Sequence, residues 1–186
     1  MEPDRDDTAR LRRGDLAGLA GLMERHQDRL FRYLLRLVGD EAMVEDLFQQ
    51  SWIRVTERIS RYDASRPFAP WLLALAHNLA VDHLRRYRPQ SLDDAGEEAS
   101  CADESRDGPL DEVAERERGE RLATAVAALP ALDREVLALR FEQDLPLAEV
   151  AAVLAVPLPT AKARLYRALT RLRERLLAAG PREQWT

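Results

Sequence analysis

The chain has 186 residues, room for one domain or two small ones, and nearly half of them are hydrophobic, enough to bury a core. A single cysteine, Cys101, excludes an internal disulfide framework. The net charge of −5 would argue against a nucleic-acid ligand if it were evenly spread, but residues 91–120 hold 12 acidic against 3 basic residues, and both flanks are neutral or basic.

No apolar run reaches membrane-spanning length, and the opening MEPDRDDTARLRRG lacks the apolar centre of a signal peptide. An intracellular protein with no direct membrane insertion is therefore expected. Residues 8–13 predict a short helix ending at Gly14. Asp15 is placed to cap a second helix, whose apolar positions Leu16, Leu19, Leu22, Leu30, Tyr33, Leu34, Leu37 and Val38 run to a stop at Gly39. Asp40 caps a third helix that reaches about residue 60. A helical wheel puts Val44, Leu47, Phe48, Ser51, Trp52, Val55 and Ile59 on its buried side and Asp46, Gln49, Gln50, Ile53 and Glu57 outside. An isoleucine among two glutamines and an aspartate is either ordinary surface or the apolar centre of a docking patch.

Residues 61–71, RYDASRPFAPW, are too rich in proline to be helical throughout. They lead into a fourth helix over 71–87, with Leu72, Leu75, Leu79 and Leu84 as core candidates and Pro89 as its end. Aromatic side chains interleaved with arginines beside a loop suit single-stranded nucleic acid, where bases stack on rings and cations follow phosphates. Trp71 is expected in the core and Tyr62 in the open loop. Residues 89–114, acidic and almost without apolar period, read as a disordered linker. Helical spacing returns over 115–129, with Leu122, Ala125, Val126 and Leu129 on one side, and again over 132–141.

Residues 145–177 read as a short helix, a tight turn and a longer basic helix. Leu147, Val150, Ala151 and Leu154 give the first a buried face; Ala161, Leu165, Ala168, Leu169, Leu172 and Leu176 give the second one. Two prolines, Pro157 and Pro159, are expected to lie between the helices, with Thr160 as N-cap of the second. From Lys162 to Arg175 six basic residues face one acid, the charge a helix needs to enter a DNA major groove. A basic hairpin packed on its own domain would share this pattern. No glycine-rich phosphate loop or activated nucleophile is present, and His26, His77 and His83 lack the spacing of a metal set. No catalytic residue, metal or cofactor is expected.

Two blocks now stand in order: EDLFQQSWIRV with RPFAPWLLALAHNLAVDHLRR, then LPALDREVLALRF with the helix-turn-helix. In that order and spacing the chain resembles a bacterial RNA polymerase sigma factor of the sigma-70 family, extracytoplasmic-function (ECF) group. The resemblance implies an all-α fold of two small helical domains, an N-terminal bundle and a C-terminal helix-turn-helix domain, joined by a flexible acidic linker. Residues 1–88 would be the region 2-like domain for core polymerase and the minus-ten element. Residues 89–114 would be the linker, and 115–180 the region 4-like domain for the minus-thirty-five element. It also implies a non-enzymatic cytoplasmic protein that acts with core RNA polymerase (β′ clamp and β subunit) and promoter DNA. Such a protein directs the polymerase to specific promoters and helps melt them, and the family usually has an anti-sigma partner, often membrane-attached.

By the same resemblance Asp46, Gln49, Gln50 and Ile53 fall where such proteins dock on the β′ clamp. Tyr62, Asp63, Ser65 and Arg66 fall in the loop that captures a flipped minus-ten base, with Asn78 lining that site and Arg85 further along the same helix. Thr160, Lys162, Ala163, Arg164, Tyr166, Arg167 and Arg171 fall on the recognition helix for the minus-thirty-five element. The chain departs from the family pattern at Ala155 and Pro159, where glycine is usual, and at Ala163, where serine is frequent. The competing reading is a two-domain helix-turn-helix regulator that binds operator DNA without polymerase, normally as a dimer. A helical adaptor without nucleic-acid function is a third, against which the aromatic-basic loop and basic helix count.

Overall fold

Gly14 and Gly39 adopt φ of 84° and 76°, the left-handed conformation that ends a helix cheaply only in glycine, and they divide the N-terminal half of the chain. The computed structural model describes residues 2–87 and 110–178, and every regular element among them is helical. The first three helices are α1 (Glu2–Arg12), α2 (Ala17–Val38) and α3 (Glu41–Arg58). Asp40 caps α3 by accepting the Met43 N–H at 3.0 Å, and Asp15 accepts the Ala17 N–H at 3.0 Å ahead of α2. A 3₁₀ turn, Ile59–Arg61, leads to α4 (Phe68–Tyr87). This helix starts three residues before the expected Trp71, because Pro70 sits in the first turn, where a missing N–H costs nothing.

The C-terminal half comprises α5 (Leu110–Ala127), α6 (Ala131–Leu137), α7 (Leu147–Val153) and α8 (Leu158–Ala178). The helix α5 begins inside the stretch read as a linker; the remainder of that stretch, with Asp93, Asp94, Glu97, Glu98 and Cys101, lies outside the described residues. The helix expected over 132–141 is divided. After α6 the backbone widens into a π turn, Ala138–Glu142, closed by the Gln143 N–H on the Ala138 carbonyl at 2.9 Å.

In the N-terminal group Leu22, Leu30 and Leu34 of α2 meet Val44, Leu47 and Val55 of α3 and Phe68 and Leu72 of α4, all sealed from solvent, while α1 lies along α2. In the C-terminal group α6, α7 and α8 close around Leu139, Val150, Val153, Ala161 and Ala168. Three expected core positions are exposed, Leu16 just ahead of α2 at 68% among them. The closest approach of α8 runs through the small Ala161 and Ala168, so Leu169, one 100° step away, stays 37% exposed. On α5 only Ala125 of the described side chains is buried, and Leu122 is 46% exposed.

The two groups meet, and α4 explains why. Leu72, Leu73, Leu75, Ala76 and Ala80 are all buried, a run that wraps around more than one face of the helix. A helix apolar on two sides must be covered on two sides. One side packs on α2 and α3, the other on α7, and one apolar cluster runs through both groups. A polar seam continues it. Arg29, Tyr33 and Arg36 lie at i, i+4 and i+7 on α2. The Arg29 guanidinium donates to Gln143 Oε1 at 2.8 Å and to the Gln143 carbonyl, and Arg36 pairs with Glu142 at 2.6 Å. Between them the buried Tyr33 hydroxyl donates to Glu135 Oε1 at 2.9 Å, and His77 Nδ1 lies 2.7 Å from the same oxygen. Burial, with the Glu135 carboxylate beside it, drives the Tyr33 hydroxyl well above its ordinary pKa.

Candidate polymerase and promoter interfaces

Three surfaces carry the residues singled out by sequence. The first is the outer face of α3. Asp46, Gln49, Gln50 and Ile53 follow i, i+3, i+4, i+7 spacing, all four are exposed, and Ile53 keeps 56% of its surface in solvent. Behind them Leu47, Trp52 and Val55 are buried, so this face is held rigidly on the core. An apolar side chain in a polar surround on a rigid helix has the composition of a small docking patch.

The second surface is the loop between α3 and α4. Here one expectation is corrected: Tyr62 is only 4% exposed and belongs to the core. Its ring centroid lies 5.0 Å from that of Trp71 and 5.6 Å from that of Phe68, and its hydroxyl donates to the Arg66 carbonyl at 2.5 Å. Proximity to two large rings was enough to draw a loop tyrosine inward. The loop surface is left to Asp63, Ser65 and Arg66, which are exposed. Asp63 Oδ1 accepts the Ser65 N–H at 2.9 Å and its hydroxyl at 2.7 Å, a local turn that holds the Asp63 carboxyl below its ordinary pKa. Asn78 and Arg85 are exposed on α4, Arg85 donating to Asp82 at 3.3 Å.

The third surface is the helix-turn-helix of α7 and α8. The turn places Ala155 at φ 51°, with the Val156 N–H on the Ala151 carbonyl at 3.0 Å, the helix-ending bond pattern that normally employs glycine. A β-carbon in this conformation costs about 1 kcal/mol, so Ala155→Gly is expected to raise stability by about that amount in chemical denaturation.

Thr160 is not the N-cap of α8. The helix starts at Leu158, the Pro157 carbonyl accepts the Thr160 and Ala161 N–H groups at 2.9 and 3.1 Å, and both Pro159 and Thr160 lie in the first turn. Proline there loses no hydrogen bond. Lys162, Ala163, Tyr166 and Arg167 are exposed together, with Tyr166 at 60% and the Lys162 ammonium 5.9 Å from its ring centre; Arg164 is half-buried at the flank. Arg171 has a partner within the fold: it donates to the buried Asp133 at 2.5 Å, tying α8 to α6. Asp133, Glu135 and Gln143 were absent from the sequence-based candidates, although polar residues inside an apolar helical period are a visible signal.

Among the described residues no cluster of three or more His, Cys, Asp or Glu is placed to hold a metal ion, and no helix is long and apolar enough to cross a membrane. An all-α chain whose helix-turn-helix turns a basic helix outward is of the class of DNA-binding transcription proteins. The pattern of Sigma-70 region 2 matches residues 22–90, and that of Sigma-70 region 4 matches residues 119–172. The RNA polymerase sigma factor CarQ of Myxococcus xanthus is 30% identical over 90% of this chain and 94% of its own. The ECF RNA polymerase sigma factor SigW of Bacillus subtilis is 29% identical over 89% of this chain and 92% of its own.

Among solved structures, CnrH in complex with the cytosolic domain of CnrY superposes with a TM-score of 0.67 at 25% identity, covering 96% of this chain and 99% of that one. The sigma factor RpoE of Bartonella quintana, in complex with the anti-sigma factor NepR, shares the fold with a TM-score of 0.65 at 21% identity, covering 86% of this chain and 96% of that one. The chain belongs to the sigma-70 family of RNA polymerase sigma factors, in its ECF group. It is an alternative sigma factor that directs RNA polymerase to promoters, and the reading as a polymerase-independent regulator is not favoured.

Proposed function

We propose that the two helical groups divide the work at a promoter. Residues 1–88 dock on core polymerase through Asp46, Gln49, Gln50 and Ile53 and hold the minus-ten element as single strand. Residues 115–180 hold the minus-thirty-five element as duplex, with α8 in the major groove presenting Lys162, Ala163, Tyr166 and Arg167. The observation that carries this is the outward placement of both faces: the polar surround of Ile53 on α3 and the basic side of α8 each remain open to solvent. Phosphate contacts from the arginines and lysine position the duplex, and base edges reach the side chains between them.

At the minus-ten element, Asp63, Ser65, Arg66 and Asn78 offer hydrogen bonds to an extruded base, with Arg85 along the strand. Tyr62 is the buried pillar beneath that surface. Unstacking a base costs a few kcal/mol, which capture offsets, so opening is favoured by binding the single strand. No bond is made or broken by the chain, and its place of work is the cytoplasm, where the polymerase is. CnrH is seen with the cytosolic domain of CnrY, and a protein partner of the anti-sigma kind is carried over to this chain.

Run-off transcription with purified core polymerase tests the reading. The chain is expected to confer promoter-dependent transcripts that core polymerase alone does not make. Ile53→Asp, on the exposed face, is expected to weaken core binding about 30-fold, the size of a central interface contact, with an unchanged melting temperature. Unchanged core affinity would remove α3 from the interface. Specific duplex binding by the free chain as a dimer, without polymerase, would favour the regulator instead.

A further inference from the structure

The loop assigned to the minus-ten element is braced from outside the matched region. Three of its backbone carbonyls are bonded by one helix: Arg12 of α1 donates through Nε to Ile59 O at 3.0 Å and through Nη2 to Tyr62 O, and Arg5 donates through Nε to Ala64 O at 3.1 Å. The Arg12 guanidinium carbon also stands 5.9 Å from the Tyr62 ring centre. Arg5 and Arg12 are seven residues apart, two helical turns, and therefore share a face. Both precede residue 22, where the match to region 2 begins.

The helix that carries them is itself held closely. Gly18 of α2 lets α1 approach so near that a β-carbon there would stand 2.3 Å from the Asp7 carbonyl oxygen. Thr8 and Leu11 of α1 are buried, and Arg25 of α2 bonds Asp4 at 2.9 Å and Asp7 at 2.7 Å. The loop has its own ties, from Tyr62 to the Arg66 carbonyl and from Asp63 to Ser65, but these close it only upon itself. Together with the packing of the Tyr62 ring on Phe68 and Trp71, the bonds from α1 fix it relative to the body of the domain.

We infer that Arg12 is a positioning residue for minus-ten capture, with Arg5 as its lesser partner: α1 holds the 59–66 loop in the shape that receives the extruded base. This rests on the assignment of that loop to the minus-ten strand. The chemistry favours bracing. A guanidinium has a fork of donors in a fixed plane, which can hold two carbonyls of one loop at a set separation. A loop held before binding has less freedom to lose when the nucleotide arrives. An arginine committed to carbonyls makes no phosphate contact, so the salt dependence of strand binding should be indifferent to it.

The test uses holoenzyme reassembled from the full chain and core polymerase. A promoter is first selected from a randomised duplex pool, and the probe is a fluorescent single strand carrying its non-template minus-ten sequence. Arg12→Gln is expected to bind that strand about tenfold more weakly, with the slope of log affinity against log salt unchanged and core affinity unchanged. Hydrogen exchange should speed up across residues 59–66 and stay the same in α8. Arg12→Lys, which keeps the charge and some donors, should recover part of the affinity.

Unchanged strand affinity in Arg12→Gln overturns the proposal, as does a loss accompanied by a slope smaller by about 0.7, the mark of a lost phosphate contact on single strand. Should Arg12→Gln fail to fold, Arg5→Gln carries the test: a two- to threefold loss with faster exchange in the loop is expected, and no change overturns the idea. Arg66→Ala separates the two layers. If it leaves strand affinity intact, the loop assignment is what fails; if it weakens the strand while Arg12→Gln does not, only the bracing does.

Discussion

Glu135→Ala is expected to open the seam between the two helical groups and lower thermal stability, while Glu135→Gln leaves both nearly intact. Glu135 Oε1 accepts from the Tyr33 hydroxyl at 2.9 Å and lies 2.7 Å from His77 Nδ1, and all three residues are buried. Alanine removes the one oxygen that both groups address. Both lose that acceptor away from water and keep only their own 3.3 Å contact, at about 1–3 kcal/mol in all, so a loss near 2 kcal/mol shifts the packed-to-open ratio by roughly thirtyfold. Glutamine preserves a carbonyl oxygen at the Oε1 position that Tyr33 and His77 both address, which is why it should be tolerated.

The opened form matters for promoter binding. Elements centred ten and thirty-five base pairs upstream are separated by about 25 pairs, roughly 85 Å of duplex at about 3.4 Å per pair. A chain of 186 residues packed as one body has a radius of gyration of about 16 Å. The packed arrangement is too small to touch both elements, so the seam must part for the proposed division of labour. Small-angle scattering should give a larger radius for Glu135→Ala than for the parent chain, together with a lower melting temperature. If both quantities match the parent, the Tyr33–Glu135–His77 contact does not hold the groups together.

Arg171→Ala is expected to act first on stability. Its guanidinium meets the buried Asp133 at 2.5 Å, and truncating it strands a carboxylate inside the C-terminal group, a cost of about 2–3 kcal/mol. Asp133→Ala leaves the arginine free to reach water, because its side chain is already half exposed, and should cost less. The double variant should be clearly better than the sum of the two singles, since the coupling disappears with both partners. Arg167→Ala, on the open side of α8, should leave denaturation unchanged and weaken duplex binding with a shallower salt dependence. If Arg171→Ala behaves like Arg167→Ala, with full stability and reduced DNA affinity, its pairing with Asp133 is incidental.

These two cases mark where reading the residues in order stops being sufficient. The stops at Gly14 and Gly39, the cap at Asp40 and the outward set Asp46, Gln49, Gln50 and Ile53 were legible, because each depends on neighbours within a turn or two. The helix-turn-helix was legible for the same reason, although α8 starts earlier than its two prolines suggest, with Pro159 a first-turn residue and not a break. The division of α6 by a π turn was not legible, since it places Gln143 against Arg29, 114 residues earlier in the chain.

The sequence by itself determined an all-helical chain, its two helical groups, its family and the faces that α3 and α8 turn to solvent, because a 3.6-residue period and a motif are local properties. Only the tertiary structure decided what covers the apolar sides. It drew Tyr62 under Trp71, gave Arg171 to Asp133, set Glu135 between Tyr33 and His77, and brought Arg12 to the carbonyls of Ile59 and Tyr62. Periodicity reports which side of a helix seeks burial. Which distant side chain arrives there depends on how whole helices pack, and that is a property of the assembled chain.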